Sequence, residues 1–225
     1  MKASTLIAST ALAGALLAGA PQAKADLDYT IWNGAGLGDH TAVFPVPTST
    51  PFATFTDTSA GANILNFANT LPDGSANTFN LFFTATVLGL CNTANPACGG
   101  TTMSTADVGT DVSTFIRITE KYNLSTPLTS LVSHDDGAGI YFDGSTTQSS
   151  GCILNTAEAA DNTESCTFPT GAHTLTLLYT EDNGAPAILI ADLPKEAVPE
   201  PASLMLLGAG LVGLGVFGSR RRKSS

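Results

Sequence analysis

Apolar and polar residues alternate in short runs through the middle of the chain, and helical periodicity is almost absent between Asp26 and Pro194. The runs are rich in Val, Ile, Thr, Phe and Tyr and end at Gly, Asn, Asp or Pro, as strands and turns do. Short strands at this spacing predict an all-β fold, an antiparallel β-sandwich of one domain. The predicted strands are Phe79–Leu88, Thr114–Glu120, Leu128–Ser133, Ile140–Phe142, His173–Tyr179 and Ala187–Ala191.

The alternation also predicts which side chains share a face. The first predicted strand places Phe79, Leu81, Phe83, Ala85 and Val87 on one side. In His173–Tyr179 the odd-numbered residues share one face, and Thr174, Thr176 and Leu178 share the other. The dipeptide Asn183-Gly184 is typical of a type I′ turn and predicts a hairpin between the last two strands.

Residues 26–70 give a weaker pattern. Pro45, Pro47 and Pro51 lie among many Thr and Ser residues. Proline cannot donate to a strand ladder, so we expect edge strands and loops here rather than a second domain.

The first 25 residues have the three parts of a secretory signal peptide. Lys2 gives a positive start, Leu6–Gly19 is an uncharged stretch of 14 residues, and Ala23 and Ala25 have the spacing of a cleavage site. A helix of that stretch is about 21 Å long, short of the ~30 Å hydrocarbon core of a bilayer. We therefore expect residues 1–25 to be removed during export by the Sec route. An uncleaved N-terminal anchor is the alternative.

A second apolar stretch lies near the other end. A linker at 193–198 leads to Pro199, Glu200 and Pro201, and then to Ala202–Gly218, a stretch of 17 uncharged residues. That length is about the minimum for a transmembrane helix. The positive-inside rule places the basic tail behind it in the cytoplasm and residues 26–192 outside, as an ectodomain. The tail consists of Arg220, Arg221, Arg222 and Lys223. A plain single-pass anchor is the alternative to a removable signal.

These parts, in this order, resemble the PEP-CTERM sorting signal of Gram-negative bacteria. The resemblance covers residues 199–223: the Pro-Glu-Pro triplet, the Gly-rich apolar stretch and the basic tail. It implies that an exosortase, a membrane enzyme like a cysteine transpeptidase, recognises the triplet and removes the helix. The inner membrane is then a transient location, followed by the cell surface or the extracellular matrix. Proteins with this signal typically belong to bacteria that make exopolysaccharide and biofilm, so exopolysaccharide is an implied partner.

Charge is distributed unevenly along the 225 residues. All nineteen acidic residues but only three of the nine basic ones lie between Asp26 and Glu200, which gives this region a net charge of −16. Such a surface repels phosphate backbones and anionic lipids, so nucleic acid is excluded as a partner. Apolar residues make up 43% of the chain, enough for a packed core and too many for a disordered acidic tail.

Four cysteines lie in the predicted ectodomain, an even number in an oxidising compartment. The spacing favours local disulfides, Cys91–Cys98 and Cys152–Cys166, each closing a loop rich in Asn, Thr and Ala that we expect at the surface. A zinc site is the competing interpretation. Structural zinc ligands usually follow a Cys-x₂₋₄-Cys spacing, which gaps of this length do not fit.

One segment carries a second resemblance. Residues 133–144, Ser-His-Asp-Asp-Gly-Ala-Gly-Ile-Tyr-Phe-Asp-Gly, are similar to a signature of the protective-antigen-type, lectin-like β-sandwich domain. Gly171-Ala172-His173 and the predicted hairpin 181–189 are similar to the closing strands of that family. The resemblance covers about 60 residues.

In sugar-binding members of that family, adjacent aspartates bind Ca²⁺, which in turn binds glycan hydroxyls. The resemblance implies Asp135 and Asp136 as calcium ligands, with Asp161, Asn162 and Asp182 as further candidates. Two carboxylates on one turn supply hard oxygen ligands of the type that Ca²⁺ takes. The alternative is structural: both aspartates cap the turn through backbone N–H groups, while Gly137 and Gly139 supply positive φ. We expect His134 to be a turn or strand residue rather than a ligand.

Catalytic motifs are absent from the sequence. Asp135 and Asp143 could be imagined as a glycosidase pair, but no Gly-x-Ser-x-Gly motif accompanies the three histidines. The single tryptophan, Trp32, is expected in the core rather than on a sugar. The sequence therefore predicts a non-catalytic exported protein of the cell surface or matrix. A calcium-dependent carbohydrate-binding module is the first alternative, and a secreted glycan hydrolase is the second.

Overall fold

The described part of the chain folds into eleven strands and two short helices in this computed structural model, and it comprises residues 26–35, 41–59, 63–72, 75–104, 112–157 and 162–195. The helices are α1 (Phe79–Phe82) and α2 (Ala85–Ala94), followed by a 3₁₀ turn at Cys98–Gly100. The strands are β1 (Leu27–Ala35), β2 (Ala53–Asp57), β3 (Ile64–Asn69), β4 (Asn77–Thr78), β5 (Thr102–Ser104), β6 (Val112–Leu124), β7 (Leu128–Asp135), β8 (Ala138–Phe142), β9 (Asn162–Phe168), β10 (Gly171–Glu181) and β11 (Ala187–Asp192).

The strands form two main antiparallel sheets, which confirms the predicted all-β fold. The first sheet has five strands in the order β2-β1-β6-β10-β8. The second has four strands in the order β3-β11-β7-β9, and β4 pairs with β5 separately. Sequence neighbours such as β7 and β8 therefore lie in different sheets, as in a sandwich.

The main core lies between the two sheets. Alternate residues point inward: Ile118 and Leu177 come from the first sheet, and Leu65, Val132 and Leu189 come from the second, all fully buried. Because side chains of a strand point alternately to opposite faces, the intervening residues of β7 and β11 face solvent. The period-2 alternation that predicted these strands is thus the alternation of core and solvent.

A smaller core covers the opposite face of the five-stranded sheet. Trp32, Phe115, Tyr141 and Leu178 pack together beneath the segment 41–52. Trp32 donates a hydrogen bond from Nε1 to the Ser49 carbonyl over 2.9 Å, and the Tyr141 hydroxyl donates to the Ala42 carbonyl over 2.9 Å. Trp32 is therefore a core residue, as expected, and both faces of β10 are buried from Leu175 to Glu181.

The prediction of a strand at 79–88 was wrong, because these residues belong to α1 and α2. Phe79, Phe82 and Phe83 have i, i+3, i+4 spacing and pack together, while Leu81 is 43% exposed. The Thr84 hydroxyl accepts a hydrogen bond from the Val87 N–H and begins α2 as its N-cap. Phe79 and Phe83 fit both a period of two and a helical turn, so alternation alone was ambiguous.

Two other predictions about the strands also need correction. The turn at Asn183-Gly184 does not form a hairpin, because β10 pairs with β6 and β8 whereas β11 pairs with β3 and β7. The turn instead carries the chain from one sheet to the other. In the N-terminal region, β2 and β3 are edge strands as expected, but β1 lies inside its sheet.

Both predicted disulfides are present. Cys91–Cys98 joins α2 to the 3₁₀ turn, and Cys152–Cys166 joins the segment after β8 to β9. We expected the bridges in surface loops, but all four cysteines are fully buried. The bridges therefore belong to the core. The strand β9, which holds Cys166, was not predicted because its sequence is largely polar.

The predicted processing segments lie outside the described residues. They are the signal peptide 1–25 with Ala23 and Ala25, the triplet 199–201, the helix 202–218 and the basic tail 220–223. Within the residues that are described, none of the helices has the length and apolar character needed to cross a membrane.

Candidate functional site

Asp135 and Asp136 lie where the chain passes between the two sheets. Asp135 ends β7 in the four-stranded sheet, and Ala138 begins β8 in the five-stranded sheet, so Asp136 and Gly137 make the crossing. The peptide bond between the two aspartates is cis. A Cβ at Gly137 would lie 2.5 Å from the carbonyl oxygens of Thr156 and Ala157. The crossing is therefore pressed against the 152–157 segment.

We expected Gly137 and Gly139 to supply positive φ, and this expectation was wrong. Among the described residues, the glycines with positive φ are Gly34, Gly144, Gly171 and Gly184. At Gly139 a Cβ would lie 2.5 Å from the Ala42 carbonyl oxygen. Gly137 and Gly139 are thus explained by the close approach of neighbouring backbone.

Asp136 caps the turn at Asp182 and Asn183 rather than the turn in which it lies itself. Its Oδ2 accepts hydrogen bonds from the backbone N–H groups of Asp182 and Asn183 over 2.7 and 3.2 Å. Its Oδ1 accepts a hydrogen bond from the Asn183 side-chain amide over 3.1 Å. The carboxylate therefore joins the β7–β8 crossing to the β10–β11 crossing at the same edge of the sandwich.

The environment of Asp136 disfavours its charged form. The residue is 3% exposed, and burial raises the pKa of its carboxyl to about 7. The hydrogen bonds from Asp182 and Asn183 favour the charged form, while the nearby Asp135 carboxylate disfavours it. Glu181 and Asp182 add further acidic groups on the neighbouring strand end.

Tyr179 contacts two of these acidic residues, Asp135 and Glu181. Its buried hydroxyl donates to the Asp135 carbonyl and lies 2.9 Å from Glu181 Oε2. Burial, followed by the Glu181 carboxylate, raises the pKa of Tyr179 well above its ordinary value. Tyr179 therefore stays a neutral donor.

His134 is buried on the inner face of β7, next to the aspartates. Its Nδ1 lies 2.6 Å from the Asp136 carbonyl oxygen, and its Nε2 lies 2.9 Å from Glu164 Oε2. His134 thus binds protein groups of β9 and of the crossing, in agreement with the expected structural role.

The crossing carries side-chain oxygens of the type that a hard cation takes, but those of Asp136 already accept hydrogen bonds from Asp182 and Asn183. The side-chain oxygens of Asp135, Asp136, Asp182 and Asn183 belong to two adjacent turns, and oxygen ligands of this kind suit Ca²⁺. Within the described ranges, no three His, Cys, Asp or Glu residues already form a group able to hold a metal. Of the other candidate ligands, Asn162 lies on β9 opposite His134, and Asp161 lies outside the described residues.

Asp143 lies far from this edge. It follows the end of β8, and the five residues of that strand separate it from Asp136. Strand geometry places Asp135 and Asp143 roughly 15 Å apart or more, beyond the ~5–9.5 Å of glycosidase carboxyl pairs. Asp143 instead binds His173 and the Thr174 N–H. The imagined glycosidase pair is therefore not brought together.

Sequence reasoning missed the partners of the aspartates. Asn183 and Tyr179, which bind the aspartates, and Glu164, which binds His134, lie 30 to 47 residues away from these partners. Their only local signal was the Asn183-Gly184 turn, which the sequence assigned to a hairpin. Pairing of distant turns depends on strand order, which one sequence does not give.

Comparison with known proteins identifies the C-terminal segment. The pattern of the PEP-CTERM protein-sorting motif matches residues 197–223, which confirms the resemblance seen in the sequence. The motif implies that an exosortase processes the chain and that the protein is secreted after transient anchoring in the membrane. No curated protein sequence matches the chain.

Solved structures similar to the chain include two PA14 domains, the type of lectin-like sandwich expected from residues 133–144. A PA14 sugar-binding domain from an RTX adhesin is 16% identical, with 80% of this chain and 94% of that chain covered and a TM-score of 0.43. The PA14 domain of the MpAFP antifreeze protein is 15% identical, with 77% and 82% covered and a TM-score of 0.38. A β-glucosidase from Kluyveromyces marxianus is 10% identical, with 80% and 18% covered and a TM-score of 0.36.

Proposed function

We propose that the protein is a non-catalytic component of the cell surface or extracellular matrix of a Gram-negative bacterium, associated with exopolysaccharide or biofilm. The observation that carries this proposal is the sorting motif at 197–223, which follows a disulfide-bonded sandwich in the sequence. An exosortase removes the tail, and the sandwich remains outside the inner membrane.

The two disulfides support export. Both bridges are fully buried in the core, so the fold depends on an oxidising compartment. The net charge of −16 in residues 26–200 favours solubility and works against binding to nucleic acid or anionic lipid. These properties suit a protein that leaves the membrane once its tail is cut.

The arrangement of the titratable side chains supports a non-catalytic role. His134 binds a carbonyl and Glu164, His173 binds a carbonyl and Asp143, and Asp136 holds the turn at Asp182. Each group connects two elements of the fold. His173 and Asp143 line an open surface depression together with Lys121, but both ring nitrogens of His173 already have partners within the fold.

Processing of the tail is tested by intact mass spectrometry of protein recovered from outside the cell. We expect a mature chain that begins at Asp26 and lacks the basic tail. Glu200→Ala, which alters the triplet, should leave an uncut, membrane-bound chain, whereas the matched variant Glu196→Ala should be processed normally. An exported wild-type chain that still contains Arg220–Lys223 contradicts the proposal.

A second candidate function is calcium-dependent carbohydrate binding through Asp135 and Asp136. The observation that favours it is the deep burial of Asp136 beside Asp135, where no described Lys or Arg forms an ion pair with it. A cation would offset the cost of burying that charge. Bound Ca²⁺ would present coordination positions to glycan hydroxyls, while Asp182 and Asn183 hold the Asp136 carboxylate in place.

Calcium binding is tested by thermal unfolding with and without Ca²⁺. A ligand that binds only the native state raises the melting temperature. At a ligand concentration one hundred times its Kd, the free energy of unfolding rises by about 2.7 kcal/mol. We expect a calcium-dependent rise in wild type and in the control Asp192→Asn, but not in Asp135→Asn or Asp136→Asn. An equal response in all four proteins, or none, excludes this site.

A further inference from the structure

A buried asparagine joins the end of the last strand to the fold. Leu193 directly follows β11, and Asn63 directly precedes β3. The Leu193 N–H donates to the Asn63 carbonyl over 2.8 Å, and the Asn63 side-chain amide donates to the Leu193 carbonyl over 3.1 Å. We call these two hydrogen bonds the exit clamp, because they are made by the last strand before the sorting motif.

The exit clamp is shielded from water. Asn63 is 5% exposed and Leu193 is 1% exposed, and the Leu193 side chain belongs to the main core. The register of the two strands ends with Ile64 opposite Asp192, so the clamp extends their pairing by one residue. Buried hydrogen bonds of this kind resist the fraying that is usual where a strand ends at the surface. The folded sandwich therefore reaches at least as far as Leu193.

Few residues separate the exit clamp from the sorting motif. Pro194 is also buried, and Lys195 is the first exposed residue after it. The motif begins at residue 197, and its triplet begins at Pro199. We call residues 195–198 the tether. The chain from Pro194 to Pro199 spans at most about 18 Å when fully extended, so an exosortase finds no more than this length between a folded body and the triplet.

The size of the sandwich makes this tether short. A folded domain of about 170 residues has a radius of gyration of roughly 15 Å, which is similar to the full length of the tether. In the proposed function, the apolar helix behind the triplet fixes the triplet at the membrane, whatever the length of the tether. The sandwich then contributes obstruction rather than guidance to a membrane enzyme that binds the chain at the triplet.

We propose that Asn63 is a positioning residue for tail processing, because the exit clamp sets the length of chain that is available to the exosortase. This inference rests on the proposed function, since it needs an exosortase that removes the tail. Without the clamp, Leu193 and Pro194 join the tether, which then spans at most about 25 Å. The longer tether reduces the obstruction, so the tail is removed faster. The clamp thus prolongs the time for which the folded protein keeps its anchor.

The other end of β3 offers a matched residue for comparison. Asn69 is 4% exposed, and its side chain makes hydrogen bonds with the Asn77 side chain over 2.7 Å and with the Leu71 N–H over 3.1 Å. It lies opposite Ala187, at the start of β11 rather than at its end. Asn69→Ala therefore removes buried hydrogen bonds of the same kind from the same strand and leaves the exit clamp in place.

The test is a pulse–chase measurement of the half-time for loss of the tail in the bacterium that produces the protein. We expect Asn63→Ala, or insertion of Gly-Ser-Gly-Ser after Lys195, to shorten this half-time by about twofold or more. Deletion of Lys195 and Glu196 should lengthen it, and Asn69→Ala should leave it unchanged. Asn63→Ala combined with the insertion should match the insertion alone, because the tether is then already long. A general loss of stability would not show this non-additivity.

Hydrogen exchange of the purified mature protein tests the exit clamp directly. The Leu193 N–H should be protected in wild type and in Asn69→Ala, and it should exchange about tenfold faster in Asn63→Ala. Equal protection in wild type and Asn63→Ala would show that the backbone bond holds the exit alone, and it would overturn the role of the Asn63 side chain.

Three results would overturn the inference and leave tail processing itself intact. They are a half-time that does not depend on tether length, a half-time that increases with tether length, and equal acceleration in Asn63→Ala and Asn69→Ala. If Asn63→Ala does not fold, the insertion and the deletion test the tether without altering the sandwich. A wild-type chain that never loses its tail contradicts the proposed function instead, and the role of Asn63 falls with it.

Discussion

His173 and Asp143 are joined by a hydrogen bond of 2.7 Å between Nδ1 and Oδ2, and the other ring nitrogen of His173 lies 2.9 Å from the Thr170 carbonyl oxygen. The Asp143 carboxylate also accepts the Thr174 N–H over 2.9 Å. The pair thus ties the end of β8 to the start of β10. Because both imidazole nitrogens face acceptors, the fold favours the imidazolium form.

We expect this pair to stabilise the protein only within a window of pH. The hydrogen bond with Asp143 raises the pKa of His173, so its contribution is full below about 6.5 and is lost as pH rises through the raised value. The bond with His173 lowers the pKa of Asp143, so its contribution is lost as pH falls through the lowered value. Both side chains are partly exposed, and pairs of this kind contribute about 0.2–1 kcal/mol.

Urea unfolding of wild type and His173→Gln at pH 5.5 and pH 9 measures this contribution. The variant should be less stable at the lower pH and equal to wild type at the higher pH. Asp143→Asn is a suitable partner for a double-mutant cycle, because Asn tolerates the positive φ of 54° at this position. A difference that is the same at both pH values would show that the ion pair is not its cause.

Asp136 should make the protein less stable as pH rises. Burial raises the pKa of this carboxyl from 3.8 to about 7, so the folded state holds a proton that the unfolded chain releases above pH 4. The free energy of unfolding should therefore fall between pH 4 and pH 7, by roughly 4 kcal/mol from this residue. Unfolding in the presence of EDTA should show this slope in wild type and a flatter one in Asp136→Asn. Equal slopes in the two proteins would refute the assignment.

Two core tyrosines should tolerate loss of their hydroxyls. Tyr29 and Tyr122 are buried, and the hydroxyl of neither has a hydrogen-bond partner within the described part of the chain. A buried hydroxyl without a partner is unfavourable, so Tyr29→Phe and Tyr122→Phe should leave stability unchanged or raise it by about 1 kcal/mol. The matched control is Tyr141→Phe, which removes the bond to the Ala42 carbonyl and should destabilise by about 1 kcal/mol. The measurement is thermal unfolding of the three variants. Equal changes in melting temperature for all three would contradict this prediction.

Strand positions followed from the sequence where one face meets the core and the other meets solvent. β7 and β11 alternate in this way, and their predicted spans agree with the structure to within two residues at each end. The pattern failed at Phe79 and Phe83, whose spacing fits a helix as well as a strand. It also failed at β9, an edge strand whose outward residues are Thr and Ser and whose inward ones include Glu164.

The aspartate pair was found from its sequence, but its environment was not. The motif around Asp135 and Asp136 predicted a turn beside an apolar strand, and the structure places the pair there. The hydrogen bonds from Asn183 to Asp136 exist because β10 and β11 lie in different sheets. The predicted hairpin placed both strands in one sheet and therefore missed these bonds. Burial of Asp136 follows from the same crossing, because two turns that pass between sheets cover each other.

The crossing at Gly137 should be the most sensitive glycine of the described chain. An added Cβ would lie 2.5 Å from two backbone oxygens, those of Thr156 and Ala157, which cannot rotate away as a side chain would. Gly137→Ala should therefore displace the 152–157 segment and destabilise the protein by about 3 kcal/mol. Gly89→Ala is the matched control, because Gly89 lies within α2 and its Cβ would meet nothing within 4 Å. That variant should be stabilised by about 0.5–1 kcal/mol, since alanine favours a helix over glycine. Urea unfolding distinguishes the opposite signs, and a Gly137→Ala protein as stable as wild type would show that the 152–157 segment yields without resistance.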